Sequence, residues 1–226
     1  MRVGSLFSGI GGFDLGLERA GHEIVWQVEN DKFCNRVLAH HWLHVARTDD
    51  VRRYKIKKHE SFDLLCGGFP CQDVSIAGKR AGLAGERTGL FSEIVRIAKE
   101  IKPTWGLFEN VPGLISSNNG RDFWSVLKGL RQCWNTVGYR ILNSRYFGVA
   151  QQRRRVFFVC GPSEQRVREI LFESEGGSGD SSESCEERSS VAATIRSRSA
   201  GLGISAPGRG GEDDVNLIVT HALTNS

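Results

Sequence analysis

No stretch of this 226-residue sequence approaches the roughly 20 consecutive apolar residues that cross a bilayer, which excludes a membrane-spanning helix from the expectation. The opening MRVGSLFSGIGG carries glycines and serines in place of the long apolar run of a secretory leader. The six cysteines (Cys34, Cys66, Cys71, Cys133, Cys160 and Cys185) contain no C-x-x-C pair. These absences together predict reduced thiols in a cytoplasmic protein. No internal repeat is visible, and charge of neither sign dominates. A net charge of +4 with a pI near 8.8 permits a nucleic-acid partner without demanding one. What remains is ordinary for a globular protein: 39% hydrophobic and 25% charged residues. A domain of about 150 residues buries roughly 68–70% of its unfolded surface, so no covalent staple is needed.

The hydropathy pattern alternates short apolar runs with helical periods. Residues 2–8 read as a strand, followed by a glycine loop and a helix over about 12–20. EIVWQVE (23–29) is a second strand, 31–42 a helix, and SFDLLCGG (61–68) a buried strand. Thr88 reads as a helix cap; Leu90, Phe91, Ile94, Val95, Ile97, Ala98 and Ile101 then follow the 3.6 period, and Pro103 stops the helix. TWGLFENV (104–111) is the next strand, with a helix over about 121–136 and strands near 139–147 and 155–161. This order predicts an α/β fold, mostly parallel, with helices on both faces of the sheet. Composition changes after residue 161. The Glu/Ser/Gly-rich run over 173–190 cannot bury a core, so residues 1–161 are expected to form the α/β domain and 162–226 a flexible second region.

In parallel α/β sheets, ligands sit beyond the carboxyl ends of the strands. After the first strand comes FSGIGGFD, whose Gly9, Gly11 and Gly12 allow close backbone approach to a ligand. It fails as a G-x-G-x-x-G fingerprint because the third glycine would fall at Asp14; a tight strand-to-helix turn is the plain alternative. The second strand ends in Glu29, 20 residues after Gly9, where such folds place a carboxylate on ribose hydroxyls. A nucleoside without pyrophosphate suits this pair better than a dinucleotide. Asp50, in TDDV, is placed to meet a base amino group or to serve as a solvated turn carboxylate.

GGFPCQDVS sets Cys71 after Pro70 in a polar, glycine-flanked loop. Proline fixes φ and stiffens the entry, and an accessible thiol there reads as a nucleophile. A buried structural cysteine and a metal ligand paired with Cys66 are the alternatives. No four-ligand set accompanies it even with His40, His41 and His44, so no metal is expected. The next strand ends FENVPG, which brings Glu109 to the same crevice; a carboxyl group there would hold a ring nitrogen while sulfur adds to a ring carbon. Binding turn amides is its structural alternative. Arg153, Arg154 and Arg155 precede the last strand, so 153 and 155 share one face. A basic strand edge is their alternative role.

FSGIGGFDLGLERAG, ENDKF, GGFPCQDVSIAGKR, RTGLF, ENVPG and YFGVAQQRRRVFFV occur in this order over about residues 3–160. The pattern resembles the C5-cytosine DNA methyltransferases. That resemblance implies a Rossmann-like fold and S-adenosylmethionine held by Phe7, Ser8, Gly9, Gly11, Gly12, Glu29, Asn30, Asp50, Val51 and Leu90. It implies a nucleophile loop of Pro70, Cys71 and Gln72, Glu109 on the cytosine ring, and Arg153 and Arg155 on the base or backbone. Double-stranded DNA is the implied partner, its cytosine flipped from the stack. Ser75, Lys79, Arg80 and Arg87, in a glycine-bearing loop that could close over DNA, are the implied phosphate contacts. The resemblance also implies a full target-recognition region and a returning segment against the first glycine loop. HALTNS (221–226) lacks the flanking arginine and proline of that return. Residues 162–226 therefore read as a partial recognition region, and a complementing C-terminal segment is an expected partner for an otherwise monomeric chain. Two other readings stay open: a subunit or fragment that binds cofactor or DNA without turnover, and a relative directed to transfer RNA.

Overall fold

The computed structural model describes residues 1–54, 61–70, 89–172, 193–194 and 217–220, the last two as backbone. In chain order the elements are β1 (Arg2–Leu6), α1 (Gly12–Arg19), β2 (Glu23–Val28), α2 (Lys32–His41), β3 (Ala46–Thr48), β4 (Leu64–Gly68), α3 (Leu90–Ile101) and β5 (Trp105–Asn110). There follow α4 (Gly113–Ser116), α5 (Arg121–Arg131), β6 (Thr136–Asn143), β7 (Arg154–Gly161), α6 (Glu164–Leu171), β8 (Ala193–Thr194) and β9 (Leu217–Thr220). The strands join one sheet in the order β3-β2-β1-β4-β5-β7-β6-β9-β8. β1 to β5 are parallel. β7 runs antiparallel between β5 and β6, so its beginning lies at the edge where β5 ends.

Side chains alternate across each strand, and this splits the core into two layers. Leu6, Leu65, Phe108, Val156 and Phe158 face α3 and α5, where Ile94, Ile97, Val126, Leu127 and Leu130 complete the larger cluster. Val3, Leu64 and Cys66 face the other way and pack with Leu38 and Trp42 of the α2 segment and Phe13 and Leu17 of α1. Strands buried on both sides explain why β1 and β4 read as near-continuous apolar runs. On the outer face of β7, Val167 and Leu171 of α6 cover Val159. Among the described residues no helix is long and apolar enough to cross a membrane.

β1 and β4 are shorter than the expected 2–8 and 61–68, and two further elements, α5 and β6, shift their bounds. α5 stops at Arg131, five residues before the expected end, because Trp134 leaves the helix. Its indole N–H donates to the Pro103 carbonyl at 3.0 Å and its ring meets Phe108 edge-on. Trp134 lies four residues after Leu130, so the apolar period runs on through a turn. β6 correspondingly begins at Thr136 and ends at Asn143, whose side chain accepts the Arg145 N–H and starts a 3₁₀ turn over Ser144–Phe147. At α3 the capping residue is Gly89, and Thr88 lies outside the described residues.

Candidate active site

The glycine loop leaves β1 through left-handed backbone. Phe7 has φ 52° although it is not glycine, and Gly9 and Gly11 follow at 56° and 90°. Such a conformation is costly for phenylalanine and persists only where packing over-determines it; here the ring is held against the larger core cluster. A Cβ on Gly11 would stand 2.4 Å from the Trp42 ring, so the loop rests directly on α2's end. Above Gly9 and Gly12 no atom of the described residues lies within 4 Å of where a Cβ would be. The loop is thus packed below and open above.

Glu29 ties this loop to the next strand end. One carboxylate oxygen accepts the Gly9 N–H at 2.7 Å, and the other accepts the Asp31 N–H at 2.7 Å. Asn35 donates to the Glu29 carbonyl at 2.6 Å. Each carboxylate oxygen has two acceptor sites, so lone pairs remain for two ligand hydroxyls. The donor set therefore fits a nucleoside ribose, and the open space over Gly9 and Gly12 gives it room.

Asp50 follows β3 and is engaged within its own turn. It accepts from the Arg52 amide at 3.0 Å and from the Arg52 guanidinium at 3.0 and 3.2 Å, with Arg53 3.7 Å away. These donors, Arg52 foremost, hold its carboxyl below the ordinary 3.8. Val51 is buried in the core, and its carbonyl accepts from Arg96 of α3, as does that of Tyr54. Arg96 thus fixes the 50–54 turn against the helix that Leu90 begins.

At the ends of β4, β5 and β7 three elements converge. Glu109 lies beside Arg155, with Nε to Oε1 at 2.6 Å, both side chains about one-fifth exposed at 22% and 23%. Phe157 is the ladder partner of Glu109, so Arg155, two residues earlier on β7, shares its face. The second Glu109 oxygen lies over Gly68, where a Cβ would approach it to 2.9 Å. Gly67 is tighter still, since a Cβ there would meet the Leu6 carbonyl at 2.2 Å. Asn110, 2% exposed, donates to the Phe69 carbonyl at 2.9 Å and accepts the Val111 N–H at 2.8 Å. It clamps the chain immediately before Pro70, which is exposed at the rim.

The structure brings Phe7, Ser8, Gly9, Gly11, Gly12, Glu29, Asn30, Asp50, Pro70, Glu109, Arg153 and Arg155 to one edge of the sheet. Cys71, Gln72, Ser75, Lys79, Arg80 and Arg87 lie outside the described residues. Sequence reasoning assigned no role to Asn110 or Gly68. The strings ENV and GGFP hold both, but only the pairing of β4 with β5 shows what they touch. Each described cysteine is poorly suited to attack: desolvation pushes up the thiols of Cys34, Cys66, Cys133 and Cys160.

The sequence matches the family model described as C-5 cytosine-specific DNA methylase over residues 1–197. Type II methyltransferase M.FnuDI of Fusobacterium nucleatum is 38% identical over 172 residues, 76% of this chain and 50% of that protein. Orphan methyltransferase M.SPRI of Bacillus phage SPR is 38% identical over 188 residues, 80% of this chain and 40% of that one. Type II methyltransferase M.HhaI of Haemophilus parahaemolyticus is 33% identical over 172 residues, 76% and 52% respectively. The chain spans about half the length, or less, of these curated relatives. Among solved structures, Spodoptera frugiperda DNMT2 superposes with a TM-score of 0.60 at 23% identity, covering 72% of this chain and 50% of that one, a likeness of fold. With the match running through the glycine loop, Glu29 and the Glu109–Arg155 pair, the chain belongs to the C-5 cytosine-specific DNA methylase family.

Proposed function

We propose that this protein transfers a methyl group from S-adenosylmethionine to C5 of a cytosine flipped from double-stranded DNA. The observation that carries the reading is the Glu109–Arg155 pair beside the Asn110-clamped exit toward Cys71, one strand from the Glu29 loop. Bound S-adenosylmethionine would supply an electrophilic methyl on a sulfonium. Glu29 would hold the ribose hydroxyls, Phe7, Ser8, Gly9, Gly11 and Gly12 would line the loop beneath, and Asn30, Asp50, Val51 and Leu90 would border the base.

Cys71 thiolate adds to C6 of the ring while the Glu109 carboxyl holds the ring nitrogen N3. With Oε1 taken by Arg155, Oε2 is the atom left to meet that nitrogen. With sulfur on C6 and Glu109 on N3, C5 would become the electron-rich atom that accepts the methyl group supplied by bound S-adenosylmethionine. Loss of the C5 proton to a base then expels the Cys71 thiolate and restores the ring. Pro70 and Gln72 frame the nucleophile, Arg153 steadies the base or its phosphate, and Ser75, Lys79, Arg80 and Arg87 meet DNA phosphates. These steps call for no metal. A monomer in the cytoplasm, with residues 162–226 serving recognition and a supplied C-terminal segment completing the pocket, is the corresponding whole.

Duplex DNA carrying 5-fluorocytosine decides the matter, because fluorine cannot leave as the C5 proton does. With S-adenosylmethionine, the wild-type chain should form a covalent adduct that maps to Cys71, and Cys71→Ser should form none. No adduct in either DNA or transfer RNA, with or without a supplied C-terminal segment, would overturn the enzyme reading and leave a binding subunit.

A further inference from the structure

We infer that Asp14 is a positioning residue that holds the glycine loop in place through Ser5 and Ser8. The inference rests on the reading of that loop as the cofactor's seat. Asp14 occupies the place where a dinucleotide loop would bring helix and strand together over a glycine. Here the first turn of α1 instead drives a carboxylate into the interior, fully buried, against Ser5 and Gln27, which are 1% and 0% exposed. Oδ2 accepts from Ser5 Oγ at 2.9 Å and Oδ1 from Gln27 Nε2 at 2.8 Å.

A carboxylate only accepts, so it fixes the direction of every bond attached to it. The single Ser5 hydroxyl proton goes to Asp14. In the 2.9 Å contact between the Ser8 and Ser5 hydroxyls Ser8 is then the donor, its proton shared with the Ser5 carbonyl at 3.2 Å and the Val28 carbonyl at 3.4 Å. Ser8 is the base of the loop: its N–H donates to the Val28 carbonyl at 3.0 Å and its carbonyl accepts the Gly11 N–H at 2.9 Å. On the far side Gln27, donating to Asp14 through nitrogen, presents its oxygen to Arg47 Nη1 at 3.1 Å; that Arg47 nitrogen also reaches the Trp42 carbonyl at 2.8 Å. The relay thus joins the loop above to the end of α2 below.

Burying a carboxylate is costly, and here the Ser5 and Gln27 donors offset that cost. An asparagine side chain in its place has nearly the same shape but turns one acceptor into a donor. With its nitrogen toward Ser5, the serine proton loses its acceptor and the Ser8 bond is disturbed. With its nitrogen toward Gln27, two donors face each other unless Gln27 flips and abandons Arg47. Either arrangement breaks one link without opening a cavity.

The test uses the full chain, hydrogen exchange, thermal melting and titration with S-adenosylmethionine. Asp14→Asn should speed exchange of the Ser8, Gly9 and Gly11 amides and weaken cofactor binding, each about tenfold, as loss of a hydrogen bond to a charged group allows. The melting temperature at neutral pH should not fall. Adding Gln27→Glu moves the carboxylate to the other end of the same bond, lets the amide introduced by Asp14→Asn donate to it, and should restore both readouts. Unchanged exchange in Asp14→Asn, or a melting temperature that falls in step with affinity and is not rescued by Gln27→Glu, overturns the inference. A wild-type chain that binds no cofactor would instead remove the reading of the loop as its seat, and the exchange rates would still decide what Asp14 holds.

Discussion

Asn110 and Phe69 are separated by 41 positions, yet a single amide joins them at the mouth of the site. Replacing Asn110 with alanine strands a buried carbonyl and the Val111 amide, at a cost of about 1–3 kcal/mol. Melting should drop by roughly 2–4 °C per kcal/mol, and the Cys71 adduct should form at least tenfold more slowly, while calorimetry shows cofactor affinity unchanged. Glu109→Gln asks a different question. It keeps the shape and loses the acid, so adduct formation should slow by about 10²-fold or more with melting within a few degrees of wild type. Asp14 adds a pH signature. Desolvation raises its folded value above the ordinary 3.8, and the Gln27 and Ser5 bonds only partly oppose this; Glu18 of α1 adds to the rise. The ionised group is therefore a stability penalty, fully present above the raised value and relieved as pH falls through it toward 3.8. Melting curves at successive pH values should show this relief in wild type against Asp14→Asn, with the raised Cys66 thiol staying neutral across the window. A wild-type curve parallel to the variant's would refute it. Strand-end carboxylates were legible in the sequence because topology alone predicts where they emerge. Asn110 and Asp14 were not, since each takes its meaning from partners brought close only by folding.

Among the elements, β4 makes the sharpest distinction, because its two glycines are required for different reasons. Gly67 faces backbone that cannot move; Gly68 faces the tip of a side chain that can. Gly67→Ala should therefore cost about 3 kcal/mol as an overpacked core position and yield little folded protein. Gly68→Ala should melt close to wild type but push the Glu109 carboxylate aside, slowing adduct formation at least tenfold. Equal melting temperatures for the two variants would contradict this account of the strand. The adjacent pair GG in the sequence hides the difference entirely. Helices α1, α2, α3 and α5 and strands β1, β2, β4 and β5 were readable from period and punctuation: α3 shows its apolar stripe and Pro103, and β1 its buried run. Strands β6 and β7 were readable too, but their antiparallel pairing and the start of β6 were not, because Trp134 extends a helical spacing beyond the helix and Gly138 masks the first residues of β6. That pairing builds the proposed site, since an antiparallel β7 delivers Arg155 at its beginning to Glu109 at the end of β5.

For the whole molecule the open structural question is where the first domain closes. Composition places a break after residue 161, where the polar sequence begins, yet α6 follows at Glu164–Leu171 and packs on the sheet. Val167 is 0% exposed and Leu171 6%, both against Val159, and Arg140 donates to the Leu171 carbonyl at 2.7 Å. Burying two such aliphatic side chains contributes about 3–6 kcal/mol before the ordering of the helix is subtracted. A chain ending at 172 should therefore melt about 3–12 °C above one ending at 161, if half of that gain survives. Both truncations should keep the Glu29 loop and the Glu109–Arg155 pair, which lie at the opposite end of β7 from α6. Cofactor titration at a temperature where both remain folded should accordingly give the same affinity. Equal melting temperatures would place the boundary at 161; a stability gap with equal affinity would make α6, like the β9 strand that pairs with β6, part of the same body as the sheet, covering it away from the site and not shaping the site.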